Sequence, residues 1–315
     1  MIQHVGHAVM MLILALALTA CNDRKEAADN KKLRVVATIF PVYDFARIVA
    51  GDRAEVQLLL PPGVEPHNYE PKPEEAVRIS RADLFVYTDS YMEPWAGSLL
   101  RGIAAKDGPL VVEAGHGAEL LPAADHGDEH GAGDHEKHGA MDPHIWLDPA
   151  NARLMIANIA SAFAQRDPAN AATYKANAAR YDADLAALDE RFRNGLSSCR
   201  QRTFLHGGHF AFAYLAKRYG LAYRSAYGVS AEAEPTPRQL VGLVREMRER
   251  HLRYIFSEEL LSPAVAETIA RETGATVLKL NGIHNVGKAD LDKGVSYLSL
   301  MEENLKSLRT GLECH

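Results

Sequence analysis

The 315-residue sequence predicts an α/β protein of two parallel-sheet lobes joined by a long rigid helix. Short β-branched runs alternate with amphipathic helical runs after Lys31, and the same alternation returns near the end of the chain. An Ala-rich stretch with almost no strand character separates the two regions. Because strands that alternate with helices form parallel sheets, each region is expected to form its own lobe.

The first residues predict export. Ala8 to Ala20 form an apolar run that is too short to span a bilayer and has the character of a signal peptide. The following Leu18-Thr19-Ala20-Cys21 resembles the bacterial lipoprotein signal, in which the cysteine takes a lipid. We therefore expect a signal peptide over 1–20, a membrane anchor at Cys21 and a tether over 21–32. The alternative is an ordinary cleaved signal with a chance cysteine.

The net charge bears on the possible partners of the protein, and its cysteines bear on disulfide formation. The formal net charge is −6, and the chain has no block of Lys or Arg and no aromatic ladder, so nucleic acid is not an expected partner. If Cys21 carries lipid, Cys199 and Cys314 are the remaining cysteines, and an oxidising extracytoplasmic compartment favours their pairing. Two free thiols in a reducing cell are the alternative.

The N-terminal lobe is expected over 33–150. Its strand and helix runs are LRVVATI, VYDFARIVAG, AEVQLLL, PEEAVRISRA and DLFVYT. A His-rich loop over 115–140 interrupts this pattern and is expected to be mobile, since its Gly, Asp and Glu residues cannot bury a core. Its imidazoles suit weak, exchangeable metal binding, and a merely solvated acidic loop is the alternative. The histidines concerned are His116, His126, His130, His135 and His138.

A helical linker is expected over 151–198, followed by the C-terminal lobe over 199–315. Asp167 is positioned to cap, and Pro168 to begin, a helix that runs towards Gly195. At about 1.5 Å per residue such a helix spans roughly 40 Å and limits relative motion of the lobes. Two shorter helices packed on one lobe are the alternative.

Three histidines outside the His-rich loop follow predicted strands or stand in Pro-bounded loops. His67 lies in LPPGVEPHNYEP, His144 in MDPHIWLDP, and His209 follows RTFLHGG. Ligands of open α/β sheets gather at the carboxyl ends of strands, so these imidazoles are expected to converge in the cleft. Neutral imidazoles suit Zn²⁺, whereas all-oxygen sites suit Mg²⁺, Ca²⁺ or Mn²⁺. Taken singly, a histidine near a strand end is more often a hydrogen-bonded surface or core residue than a ligand.

The segments that carry the three histidines resemble the metal-specific solute-binding proteins of ABC transporters, of the zinc and manganese type. The same resemblance extends to VVATIFPVYDFARIVAG, GGHFAFAYLAKRYGL and SAEAEPTPRQL. The resemblance covers nearly the whole mature chain. It implies one metal ion in the cleft, ligand roles for His67, His144 and His209, and delivery to a membrane permease. Manganese-type members have a carboxylate where this chain has His209, which favours the zinc branch.

The fourth ligand is less clear from the resemblance. Many members have an Asp in the late strand-end loop, where LKLNGIHN has Asn281. Some zinc-binding members use a glutamate after the preceding strand, and RYIFSEEL supplies Glu258 there, which we predict as the ligand. Glu259, Asn281, His284 and water remain alternatives. Asp142 and Asp148 are candidates either to orient His144 or to form Asp-Pro turns.

The expected function is that of an extracytoplasmic, zinc-binding lipoprotein that captures Zn²⁺ and delivers it to an ABC-type membrane permease, as a monomer and without enzymatic activity. A zinc-dependent hydrolase is one alternative, but it requires an open water position and a general base, and the sequence lacks HExxH. A surface adhesin stabilised by its metal is the other alternative. It would unfold when Zn²⁺ is removed, whereas a carrier would stay folded.

Overall fold

The computed structural model describes residues 32–103, 108–123, 141–229 and 234–315. Within them lie two four-stranded sheets, both entirely parallel, with helices packed around them. The two-lobed α/β prediction is confirmed. The predicted domain boundaries remain a prediction. Several predicted features lie outside the described residues, namely the signal peptide, the tether, Cys21, His126, His130, His135 and His138.

The N-terminal sheet has the strand order β2-β1-β3-β4. Its central strand β1 is LRVVA, whose Val35, Val36 and Ala37 are all buried because helices cover both faces of the sheet. The elements of this lobe, in chain order, are β1 (Leu33–Ala37), α1 (Phe40–Ala50), β2 (Ala54–Leu58), α2 (Pro73–Ser80), β3 (Leu84–Tyr87), α3 (Pro94–Gly102) and β4 (Leu110–Glu113).

Two helices follow a short 3-10 turn at Ile145–Leu147: α4 (Pro149–Arg166) and α5 (Ala171–Gly195). Asp148 caps α4, since its carboxylate accepts a hydrogen bond from the Ala150 N–H at 2.7 Å. The predicted long helix is α5, which contacts α1 of the N-terminal lobe and α10 (Tyr297–Gly311) of the C-terminal lobe. It is preceded by a 3-10 turn at Pro168–Asn170, and Asp167 makes no side-chain cap there. Asp167 instead accepts from the Tyr174 hydroxyl at 2.7 Å.

The C-terminal sheet has the strand order β6-β5-β7-β8. This order repeats the pattern of the first sheet, so each lobe presents the carboxyl ends of its strands along one edge. The elements are β5 (Thr203–His206), α6 (Ala213–Tyr219), β6 (Ala222–Ser225), α7 (Pro237–Glu249), β7 (Tyr254–Ser257), α8 (Ala264–Thr273), β8 (Thr276–Lys279), α9 (Lys288–Asp292) and α10.

The lobes share a hydrophobic core as well as a helix. Phe45 and Tyr297 belong to different lobes, and their rings meet edge to face with centroids 4.9 Å apart. The Tyr297 hydroxyl donates to the Trp146 carbonyl at 2.6 Å, and its N–H donates to the Asp44 carboxylate at 2.9 Å. All of these side chains are buried. The two lobes are therefore joined by ring packing and hydrogen bonds around Tyr297.

Cys199 and Cys314 form a disulfide across 115 residues, as predicted. The bond ties the end of the chain to the start of the C-terminal lobe. Among the residues that the structure describes, no helix combines the length and the apolar character that crossing a membrane requires.

Candidate metal centre

Three imidazoles meet between the lobes. His67 lies in the loop between β2 and α2, His144 directly precedes the first 3-10 turn, and His209 follows β5. The Nε2 atom of His144 lies 3.2 Å from that of His67 and 3.0 Å from that of His209. Nitrogens bound tetrahedrally to Zn²⁺ at about 2.0–2.1 Å stand about 3.4 Å from one another. Both separations are close to those of nitrogens that share one ion, and the ligand atoms of all three rings lie within 4.8 Å of one another.

A buried carboxylate orients His144. The Asp142 Oδ1 atom lies 2.7 Å from the Nδ1 atom of His144 and also accepts from its backbone N–H at 3.0 Å. A carboxylate in this place holds the ring proton on Nδ1 and leaves the Nε2 lone pair directed at the site. Burial, followed by the charge of His209, lowers the pKa of His144 well below its usual value. Burial raises the pKa of Asp142 to about 7.

A second carboxylate stands behind His209. The Glu258 Oε1 atom is 2.7 Å from Nδ1 of His209, in a contact not aligned as a hydrogen bond, while Oε2 accepts from the His209 backbone N–H at 3.0 Å. Burial lowers the pKa of His209, but the carboxylate of Glu258 more than offsets it, so the pKa is raised. Burial raises the pKa of Glu258, and His209 more than offsets that, so the pKa is lowered.

Gly208 makes the approach of Glu258 to His209 possible. A Cβ atom at this position would collide with the Glu258 carboxylate and with the ring of His206. Only glycine leaves the backbone close enough for the carboxylate to reach both the N–H and the ring of His209. The Gly-Gly sequence ahead of His209 therefore serves close packing as well as the turn.

His284 lies in the loop after β8 and faces the same centre. It is completely buried, and within the described residues neither of its ring nitrogens has a hydrogen-bond partner. Its ring centroid is 5.2 Å from that of His209, and its Nε2 atom is 4.0 Å from Glu258 Oε1. Burial lowers the pKa of His284 to about 3, so the ring is neutral. A buried imidazole with two unused nitrogens is costly unless a ligand occupies one of them.

The described residues contain two clusters that could hold a metal ion, and they share His209. One is His67, His144 and His209, and the other is His209, Glu258 and His284. Within each cluster the potential ligand atoms all lie within 4.8 Å of one another. The five residues that the two clusters comprise include each ligand predicted from the sequence, together with His284.

The remaining candidates have other contacts. The Glu259 carboxylate accepts from the Gly282 N–H at 3.2 Å, and burial raises its pKa to about 8. The Asn281 side-chain oxygen accepts from the Ile283 N–H at 2.7 Å and shapes the loop. His116 is exposed and belongs to neither cluster.

Two neighbours of the site were not singled out by the sequence. Glu65 accepts from the His67 backbone N–H at 3.3 Å, and its Oε1 atom lies 3.9 Å from the His67 ring. His206 is buried at the end of β5, with Nδ1 3.1 Å from the His209 carbonyl. Glu65 lies two residues before His67, and His206 lies three residues before His209. This closeness in sequence to two predicted ligands was the signal that could have indicated them.

Known proteins resemble this chain over most of its length. Residues 35–311 match the family described as zinc-uptake complex component A, periplasmic. The high-affinity zinc uptake system protein ZnuA of Bacillus subtilis is 37% identical over 302 residues, which cover 94% of each chain. The zinc-binding lipoprotein AdcA of Streptococcus pneumoniae is 36% identical over 298 residues, covering 94% of this chain and 59% of AdcA. The chain thus spans only part of the length of AdcA.

Solved structures agree with this comparison. The Zn(II)-bound ZnuA-like domain of Streptococcus pneumoniae AdcA has a TM-score of 0.76 at 36% identity, covering 90% of this chain and 100% of the domain. The laminin-binding protein Lmb of Streptococcus agalactiae has a TM-score of 0.78 at 30% identity, covering 90% of this chain and 100% of Lmb. The resemblance seen in the sequence motifs is confirmed. The chain belongs to the zinc-uptake complex component A family of solute-binding proteins.

Proposed function

We propose that the protein captures Zn²⁺ outside the cytoplasm and delivers it to an ABC-type membrane permease. The observation that carries this proposal is the convergence of three imidazole Nε2 atoms, at 3.0 and 3.2 Å, between two lobes. The relatives named for zinc uptake and zinc binding support the choice of ion. Three neutral nitrogen ligands also suit Zn²⁺ better than Mn²⁺, which prefers oxygen.

For the ligands of the ion we propose His67, His144 and His209, with His284 as the fourth. Glu258 was the sequence-based candidate for that place, but its carboxylate lies against Nδ1 of His209, on the opposite side of the ring from the Nε2 atom that faces His144. From there it suits the role of orienting His209. The two unpartnered nitrogens of His284 support the reassignment, and a small movement of that ring towards the other three would complete a tetrahedron.

An anomalous-difference map at the zinc edge tests this ligand set. The expected result is one peak per chain, at about 2.1 Å from a nitrogen of each of the four imidazoles. A peak bonded to Glu258 in place of His284 would restore the original prediction. Peaks on unrelated surface groups alone would refute the site.

We further propose that the protein is a carrier and has no enzymatic activity. Four protein ligands leave no open position on the ion for a water nucleophile, which a catalytic zinc site requires. The test is to assay the zinc-loaded protein for esterase, phosphatase and peptidase turnover. Turnover that His209→Ala abolishes would favour the hydrolase.

Attachment through lipid on Cys21, the monomeric state and the permease partner are parts of the same proposal. The lipoprotein naming of AdcA supports the anchor. Mass spectrometry of the N-terminal peptide from membranes tests it, with Cys21→Ser as the control. Release of the Cys21→Ser protein from the membrane fraction is the expected outcome, and unchanged attachment would contradict it.

Adhesion is a second candidate, because the structure of Lmb is described as that of a bifunctional protein with adhesin and metal transporting activity. If the ion were only structural, removing Zn²⁺ with a chelator would unfold the protein. The shared core of the two lobes favours the opposite result, in which the metal-free protein stays folded. Circular dichroism before and after chelation distinguishes the two.

A further inference from the structure

Asn285 connects the two loops that carry His67 and His284. Its side chain is completely buried, and its Nδ2 group donates two hydrogen bonds of 2.8 Å, one to the Pro61 carbonyl and one to the Val64 carbonyl. Its Oδ1 atom accepts from the Val286 N–H at 2.8 Å. Each hydrogen-bonding group of the amide is therefore used, although the two carbonyl partners lie more than 200 residues from Asn285 in the chain.

The two carbonyl partners of Asn285 belong to the loop over residues 59–72, named here the His67 loop. Its first residues are held by the sheet, since the Leu59 and Leu60 N–H groups donate to β1 and to the residue after it. Beyond them, the Gly63 N–H donates to the Val286 carbonyl at 3.0 Å. Three hydrogen bonds thus fix the middle of the His67 loop, and all of them come from the other lobe.

We propose that Asn285 is a positioning residue for the metal centre. By holding the His67 loop against the loop that carries His284, it sets the separation of two ligands that come from different lobes. The inference rests on the proposed function, because it assumes that both histidines bind the ion. Asn285 itself does not contact the ion, since both of its side-chain polar atoms are occupied by backbone groups.

The chemistry of an amide is essential to this role. Two carbonyl oxygens require two donors from one side chain, which the Asn285 amide provides. An ionised carboxylate of the same shape has no donor and would face the two carbonyls with negative charge, and a protonated carboxyl group has only one donor. Asn285→Asp therefore removes at least one of the two Asn285 bonds with almost no change in volume, and the His67 loop is held less firmly against the other lobe.

Asn304 provides a matched control. It is 2% exposed, and its amide makes two hydrogen bonds to the backbone of Asn281, at 2.7 and 2.8 Å. Both of these bonds stay within the C-terminal lobe, and none reaches the His67 loop. Asn304→Asp thus removes one buried amide donor bond, to the Asn281 carbonyl, without touching the His67 loop.

The experiment compares the parent, Asn285→Asp and Asn304→Asp as full-length proteins. Zn²⁺ affinity is measured by competition with a chelator, the metal-free melting temperature by calorimetry, and ligand geometry by the visible absorption of bound Co²⁺. Both variants are expected to melt earlier than the parent. Only Asn285→Asp is expected to lose about 10- to 100-fold in Zn²⁺ affinity and to lose the intense tetrahedral Co²⁺ spectrum.

Two results would contradict the proposals, one the proposed function and the other the positioning role of Asn285. If the parent binds no Zn²⁺ or Co²⁺, the proposed function fails. If the parent binds and the two variants lose affinity equally, or neither loses any, the positioning role of Asn285 fails while the function stands. Should Asn285→Asp not fold, Asn285→Ser keeps one donor and is measured instead, with the same difference from Asn304→Ser expected.

Discussion

The two histidine and carboxylate pairs of the metal centre have the same separation but different charge states. In both, a buried carboxylate oxygen lies 2.7 Å from an imidazole Nδ1 atom. For His144 the pKa is lowered and that of Asp142 is raised to about 7, so the pair favours a neutral imidazole. For His209 the pKa is raised and that of Glu258 is lowered, so the pair favours an imidazolium and a carboxylate.

This difference in charge state shows how the metal-free centre accommodates three imidazoles in contact. Nε2 atoms 3.0 and 3.2 Å apart cannot all carry lone pairs or all carry protons without repulsion. One proton on His209, stabilised by Glu258, gives the cluster a donor that faces the lone pair of His144. Zn²⁺ then replaces that proton, and the oriented neutral rings need little rearrangement.

The largest expected effect comes from removing a ligand. His144→Ala and His209→Ala should each lower Zn²⁺ affinity by orders of magnitude, because either change leaves too few nitrogens around the ion. Competition with a chelator measures the loss, and His116→Ala, at an exposed position, is the control that should bind like the parent. Near-parental affinity in both site variants would show that the three rings do not share an ion.

The next effect separates the two pairs. Asp142→Asn and Glu258→Gln should each weaken Zn²⁺ binding by about 10- to 100-fold, since both remove a carboxylate that orients a ligand.

At pH 6.5 the parent should release the His209 proton on binding, and Glu258→Gln should release less, because its His209 is already neutral. Calorimetry in buffers of different ionisation enthalpy counts these protons. Equal release from Glu258→Gln and the parent would contradict the charged state of His209.

The pH dependence follows from the same pair. A proton on His209 competes with Zn²⁺, and the raised pKa of His209 means that affinity falls as pH decreases through a value above 6.5. The lowered pKa values of His67, His144 and His284 mean that these rings compete only at much lower pH. In Glu258→Gln the fall in affinity should shift to lower pH. If affinity falls at the same pH as in the parent, the proton that competes with Zn²⁺ is not one that Glu258 stabilises on His209.

The smallest effect is expected from the His-rich segment. Replacing residues 124–140 by a short Gly-Ser linker should leave the tight affinity almost unchanged and reduce only weak extra binding or the rate of capture. The ends of the segment are held independently, since Pro122 and Met141 form an antiparallel bridge and the Tyr214 hydroxyl bonds to both Leu121 and Asp142. Equilibrium dialysis and stopped-flow measurements test this. Loss of the tight site would refute the assignment of His67, His144 and His209.

Much of the fold was predictable because it depends on local patterns. The alternation of β-branched and amphipathic runs indicated both sheets, and Asp148-Pro149 marks the start of α4. The helical linker was predicted less well. Asp167 was expected to cap, but its carboxylate bonds to the Tyr174 hydroxyl, a contact that depends on how the helix packs rather than on residue type.

The sequence by itself predicted that His67, His144 and His209 come together, because strand ends and Pro- or Gly-rich loops bring them to the facing edges of two parallel sheets. It also determined the disulfide partners, since few cysteines are available. Tertiary structure alone decided which nitrogen of each ring faces the centre, that Glu258 lies behind His209, and that Asn285 joins the lobes. These features depend on side-chain rotamers and on contacts between residues far apart in the chain, and neither leaves a periodic signal in the sequence.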